Sequence, residues 1–117
     1  MEKAIKEGFV YVMSNPSMPN LYKVGFTCNL KKRLYDLNSY SSTPTPFKLV
    51  YSARVDDAEG EEKNAHSALA ESRVNKKREF FKYKSKIELV KQVRDSISKI
   101  QEEDFQKGFP KKILLEE

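Results

Sequence analysis

Glu62 is the residue whose type and position most plainly demand a chemical partner. Helical periodicity over about 58–71 makes Ala58, Ala65 and Leu69 the buried stripe. Glu62 falls inside that stripe, about 40° from Ala58, whereas Glu59 and Glu61 lie outside it. His66 follows one turn later on the same flank. A carboxylate aimed inward beside a histidine must be matched, because burying an unpaired charge is costly. The partner is either a cation of the chain, Arg33 for instance, or a metal ion, and buried ion pairs are the commoner of the two. Arg33 lies on a helix over about 30–38 whose apolar face is Leu30, Leu34 and Leu37, and it stands about 60° from Leu30. It can reach a cleft, while Lys31 and Lys32 point further out. The same position also suits a boundary arginine whose aliphatic stem lies along the apolar stripe.

Tyr11 and Lys23 belong to two strands joined by a turn, and the hairpin gathers them with Arg33 at one end. Residues 8–14 alternate Phe9, Tyr11 and Met13 with Val10 and Val12, the two-residue period of a pleated strand. NPSMPN, with two prolines and two asparagines, turns the chain, and LYKVG runs back to Gly25. By pattern alone Tyr11 and Tyr22 are core or rim aromatics.

Asn29 caps the first helix. SYSSTPTP over 39–46 is a loop, followed by a half-exposed strand in which Phe47, Leu49, Tyr51, Ala53 and Val55 alternate with Lys48, Val50, Ser52 and Arg54. Asp56 or Asp57 caps the second helix, with Glu59 completing a capping box from Asp56. RVNKKR is a basic loop that leads into a short strand over 79–83. Ser85 and Glu88 open a third helix, predicted over 85–103, with Leu89, Val90, Val93, Ile97 and Ile100 inward and a tail over 104–117. The order β β α β α β α predicts an α+β fold, a small, mainly antiparallel sheet flanked by helices, as one domain over 1–117.

The 117 residues carry a net charge of +5, enough to suit a polyanion but equally explained by a solvated mixed surface. No apolar run is long enough to span a membrane and the first residues lack the apolar core of a signal peptide. A single Cys28 allows no internal disulfide, which suits the cytoplasm, and one Cys with one His excludes a structural zinc site built from this chain alone.

YVMSNPSMP, YKVGFT, NLKKRL, EKNAH and RVNKKREFF, in that order over residues 8–83, resemble the GIY-YIG nuclease superfamily. The branch they resemble holds phage open-reading-frame-172 domains and the meiotically up-regulated gene product. The resemblance implies a GIY-YIG-like domain with its core at 8–83. It implies that Tyr11 helps activate the attacking water, that Arg33 stabilises charge on the scissile phosphate, and that Glu62 is the metal ligand for one Mg²⁺ or Mn²⁺. His66 would shuttle a proton or orient its neighbours. Lys23 stands where the second motif tyrosine stands elsewhere in the superfamily, and would bind a phosphate or act as the base. Gly25 would let the substrate approach the backbone, Phe9 replaces the name-giving glycine, and Asn75 is the candidate for the distal asparagine.

The implied function is a metal-dependent DNA endonuclease with no small-molecule cofactor. It would cleave one strand per site, so a homodimer or two encounters would be needed for both. Lys31, Lys32, Arg73, Lys76, Lys77 and Arg78 are the basic residues available for DNA phosphates. The alternatives are a DNA-binding module on the same fold that cuts weakly or not at all, and a protein-binding scaffold using the third helix.

Overall fold

The computed structural model describes residues 6–40, 42–74 and 79–97. Four strands, β1 (Gly8–Ser14), β2 (Leu21–Thr27), β3 (Lys48–Val55) and β4 (Phe80–Lys82), form one antiparallel sheet in the order β3-β1-β2-β4. Three helices, α1 (Leu30–Tyr40), α2 (Ala58–Ala68) and α3 (Lys86–Ser96), cover it. The α+β expectation holds, and no helix among the described residues is long and apolar enough to cross a membrane.

The alternation in β1 explains the layering. Val10 and Val12 face α2 and α3, where they pack with Val24, Ala58, Ala65, Leu69, Leu89, Val90 and Val93. Tyr11 and Met13 face the other way, against Phe47 and the Leu30, Leu34 and Leu37 stripe of α1. Both sheet faces are therefore covered, and Tyr11 is fully buried.

β3 departs from strict alternation. Val12 pairs with Tyr51 but Met13 pairs with Leu49, so the register slips at Val50. This bulge puts two residues opposite one and changes which face the strand presents. Phe47 and Leu49 thereby join the α1 side, while Val50, Tyr51, Ala53 and Val55 join the α2–α3 side.

The turn before β2 is built on Asn15, which is 3 % exposed. Its Oδ1 accepts from Ser17 N at 2.9 Å, and its Nδ2 donates to Thr45 O at 2.8 Å. The turn is thus pinned to the loop before β3, and Asn20 takes a positive φ of 65° to close it.

Asn29 caps α1 as expected, accepting from Lys32 N at 3.0 Å, and Ser85 accepts from Glu88 N at 3.2 Å at the start of α3. The capping box from Asp56 is corrected: Asp57 is the cap and accepts from Gly60 N at 3.0 Å. Glu61, expected outside the buried stripe, is 6 % exposed and accepts from Asn64 Nδ2 at 2.8 Å. The helix expected to 71 ends at Ala68 and continues as one 3-10 turn over Ala70–Ser72. α3 stops at Ser96 with Ile97 extended, short of the predicted 103. Asn75, Lys76, Lys77, Arg78, Ile100 and the tail lie outside the described residues.

Candidate active site

The site forms where the short β4 stops pairing with β2. Lys23 pairs with Phe80, and Val24 N donates to Glu79 O at 3.0 Å, after which the ladder stops. The carbonyl of Val24 is instead taken by His66 Nε2 at 2.8 Å. A carbonyl can only accept, so Nε2 carries the proton. His66 thus ties α2 to β2 and packs against Phe81, with ring centroids 5.1 Å apart. Burial lowers its pKa, which keeps the ring neutral.

Tyr11 and Arg33 come from the α1 side. Arg33 Nε donates to Tyr11 Oη at 3.1 Å, so the edge-of-stripe arginine has a buried phenol as its partner. Burial raises the Tyr11 pKa, and the opposing bond from Arg33 does not reverse it. The residue is a phenol at neutral pH. The same bond holds the Arg33 guanidinium above its ordinary pKa.

Tyr11 pairs with Gly25 across the ladder. A Cβ at Gly25 would stand 2.6 Å from Tyr11 Oη and 2.8 Å from Glu79 Oε1, so both oxygens converge on the space a side chain would fill. The space a side chain would take at Gly25 belongs to Tyr11 and Glu79. Glycine is needed here for close approach.

Glu79 is the residue that sequence reasoning missed. It opens the strand predicted over 79–83 and stands within RVNKKREFF, but nothing in that short stretch marks it as a site residue. Its Oε1 is 3.5 Å from Lys23 Nζ, which also lies 5.1 Å above the centre of the Phe80 ring. Both neighbours attract a cation, so Lys23 is held in place by its charge.

Glu62 reaches the same place from α2. It is 8 % exposed, as its inward position implied, and its Oε2 is 3.9 Å from His66 Nε2. Neither Glu62 Oε2 nor Glu79 Oε1 has a hydrogen bond, although both are buried. Burial first, and then the Glu79 carboxylate, push the Glu62 pKa up to about 7. The expected pairing of Glu62 with Arg33 is not found. The cation whose field does reach Glu62 is Arg73, whose guanidinium lies 5.6 Å from the Phe81 ring centre.

Two buried carboxylate oxygens that make no hydrogen bond, one of them 3.5 Å from Lys23 Nζ, suit a hard divalent cation, which takes oxygen ligands. Among the described residues no group of three or more His, Cys, Asp or Glu could hold a metal, so these residues offer a pair and not a closed cage. Mg²⁺ often binds in this way, completing its shell with water and phosphate oxygens.

The third strand does not lie between the two halves of the site: β3 lies beyond β1 at the far edge of the sheet, and Tyr11 Oη meets Glu79 Oε1 at Gly25 of β2. Lys31 and Lys32 are exposed as predicted, with Lys32 Nζ 2.8 Å from Asp36.

Neither a search of curated proteins nor one of solved structures returned a match. The family model described as the T5orf172 domain matches residues 8–101. That stretch takes in all four strands and all three helices, and the chain belongs to the T5orf172 domain family.

Proposed function

We propose that this protein is a divalent-metal-dependent DNA endonuclease of the GIY-YIG kind, hydrolysing phosphodiesters at a single-metal site. The observation that carries the proposal is the convergence at Gly25 of the Arg33–Tyr11 pair with the Glu79 carboxylate, whose charge reaches the buried Glu62 of α2. Membership of a nuclease-like or DNA-binding-like family supports it.

Glu62 and Glu79 are the residues that would hold the metal. A bound Mg²⁺ or Mn²⁺ would supply Lewis-acid polarisation of the scissile phosphate and of water. Arg33, its Nε committed to Tyr11, keeps its terminal nitrogens for a phosphate oxygen, where a fixed guanidinium stabilises charge developing in the transition state. Lys23 adds a second cation on the phosphate side.

Tyr11 orients the attacking water. Because it is a phenol, it accepts the water proton only as its own proton leaves, and the Glu79 carboxylate is the neighbouring acceptor. The new bond joins the water oxygen to phosphorus, and the bond from phosphorus to the leaving oxygen breaks. Solvent returns a proton to that oxygen. His66, its Nε2 proton committed to Val24, positions α2 and with it Glu62. One such site cuts one strand, so a homodimer or two encounters would cut both.

Plasmid nicking with Mg²⁺ or Mn²⁺ tests this. Wild type should nick, and Glu62→Ala should not. Equal activity in the two proteins, or none in a well-folded wild type, sinks the proposal. Salt-dependent DNA binding without nicking would instead identify a binding module on the same fold.

A further inference from the structure

A cleft of about 480 Å³ opens on the α1 side of the sheet, next to the proposed phosphate site. Its wall carries cations, rings and one carboxylate, Asp36, which is paired with Lys32. Lys23 and Arg33 line it as cations, and Phe47, Phe80 and Tyr40 line it as rings. Phe47 and Phe80 lie 6.4 Å apart at an interplanar angle of 34°, and the Tyr40 side of the cleft is open, that residue being 85 % exposed. An aromatic wall beside two cations is complementary to a nucleotide, whose ring faces stack and whose phosphate is anionic. The volume suits a small ligand and is far too small for a duplex.

We propose that this cleft takes one unpaired nucleobase from the DNA strand whose phosphate meets Arg33. The proposal deepens the endonuclease reading and rests on it. A paired base has its faces covered by its neighbours in the stack, so it cannot lie against Tyr40 without first being extruded. Extrusion from a duplex costs free energy that a single strand, a flap or a mismatch has already given up. The substrate class follows: single-stranded or locally unpaired DNA is preferred over continuous duplex.

Fluorescence anisotropy in EDTA tests this, because no strand is cut. The probes are a labelled single-stranded oligonucleotide, its blunt duplex, and a strand of abasic sugar-phosphate of equal length. Wild type should bind the single strand more tightly than the duplex. Tyr40→Ala, at an exposed position that leaves the core intact, should weaken the single strand about tenfold, the order expected for one stacked base. It should leave duplex and abasic strands unchanged, and Tyr40→Phe should restore wild-type binding. Equal weakening on all three probes, no weakening on any, or tighter binding to duplex overturns the proposal. These outcomes are independent of nicking: an active nuclease can fail this test, and an inactive protein can pass it.

Discussion

The carboxylate pair sets a measurable pH dependence of stability. Burial and the Glu79 carboxylate raise Glu62 from an ordinary 4.5 to about 7. Between those two values the folded protein binds more protons than the unfolded chain, so stability falls as pH rises. It is fully present below pH 4.5 and lost by about pH 7. The full shift corresponds to at most about 3 kcal/mol, reduced by solvent screening because the Glu79 side chain is one-third exposed. For a chain of this length that is roughly 10 °C in Tm. His66 works the other way, because its lowered pKa makes the folded form bind fewer protons just below its ordinary 6.5. The informative quantity is therefore the difference between wild type and Glu62→Gln. The variant keeps a neutral group at the same place, so it should be the more stable protein at pH 7.5 in EDTA, by up to about 3 kcal/mol. The advantage should vanish near pH 4.5. Thermal melts followed by circular dichroism from pH 4.5 to 7.5 measure it. Millimolar Mg²⁺ at pH 7.5 should raise the wild-type Tm by mass action and leave the variant much less affected. Parallel wild-type and variant curves across the whole pH range would refute the placement of two charged oxygens in one dry site.

Two further substitutions probe the frame around the site. Gly25→Ala forces a methyl into the space shared by Tyr11 Oη and Glu79 Oε1, which something must vacate. It should cost about 1–3 kcal/mol in a denaturant melt and abolish nicking. Asn15→Ala removes the acceptor of Ser17 N and the donor to Thr45 O from a buried turn. A loss of about 2 kcal/mol or more is expected by urea titration, with the m-value unchanged.

Much of the fold is legible locally. The β1 alternation assigns Tyr11 and Val12 to opposite faces, Asn29 and Ser85 announce their helices, and the wheel of α1 separates Arg33 from Lys31 and Lys32. Each of these depends on residues within one or two turns of each other. Glu62 was also legible, because an acid inside an apolar helical stripe stands out whatever it meets. Glu61 was not, since its burial depends on what packs beside α2. The bulge at Val50 escaped for the same reason: every residue in that stretch suits a strand, and only pairing with Val12 and Met13 shows the slipped register.

By itself, the sequence determined the α+β class, the seven main elements and their order, and the inward direction of Glu62, because hydrophobic period and caps act over a few residues. Tertiary structure alone decided the strand order, the partner of Arg33 and the convergence at Gly25. Glu79 shows why. The sequence assigns it only to a short strand, and it reaches the site because β4 pairs with β2 for three residues and then stops. Where a carboxylate lands after such a pairing is set by contacts between distant segments, and no local pattern encodes them.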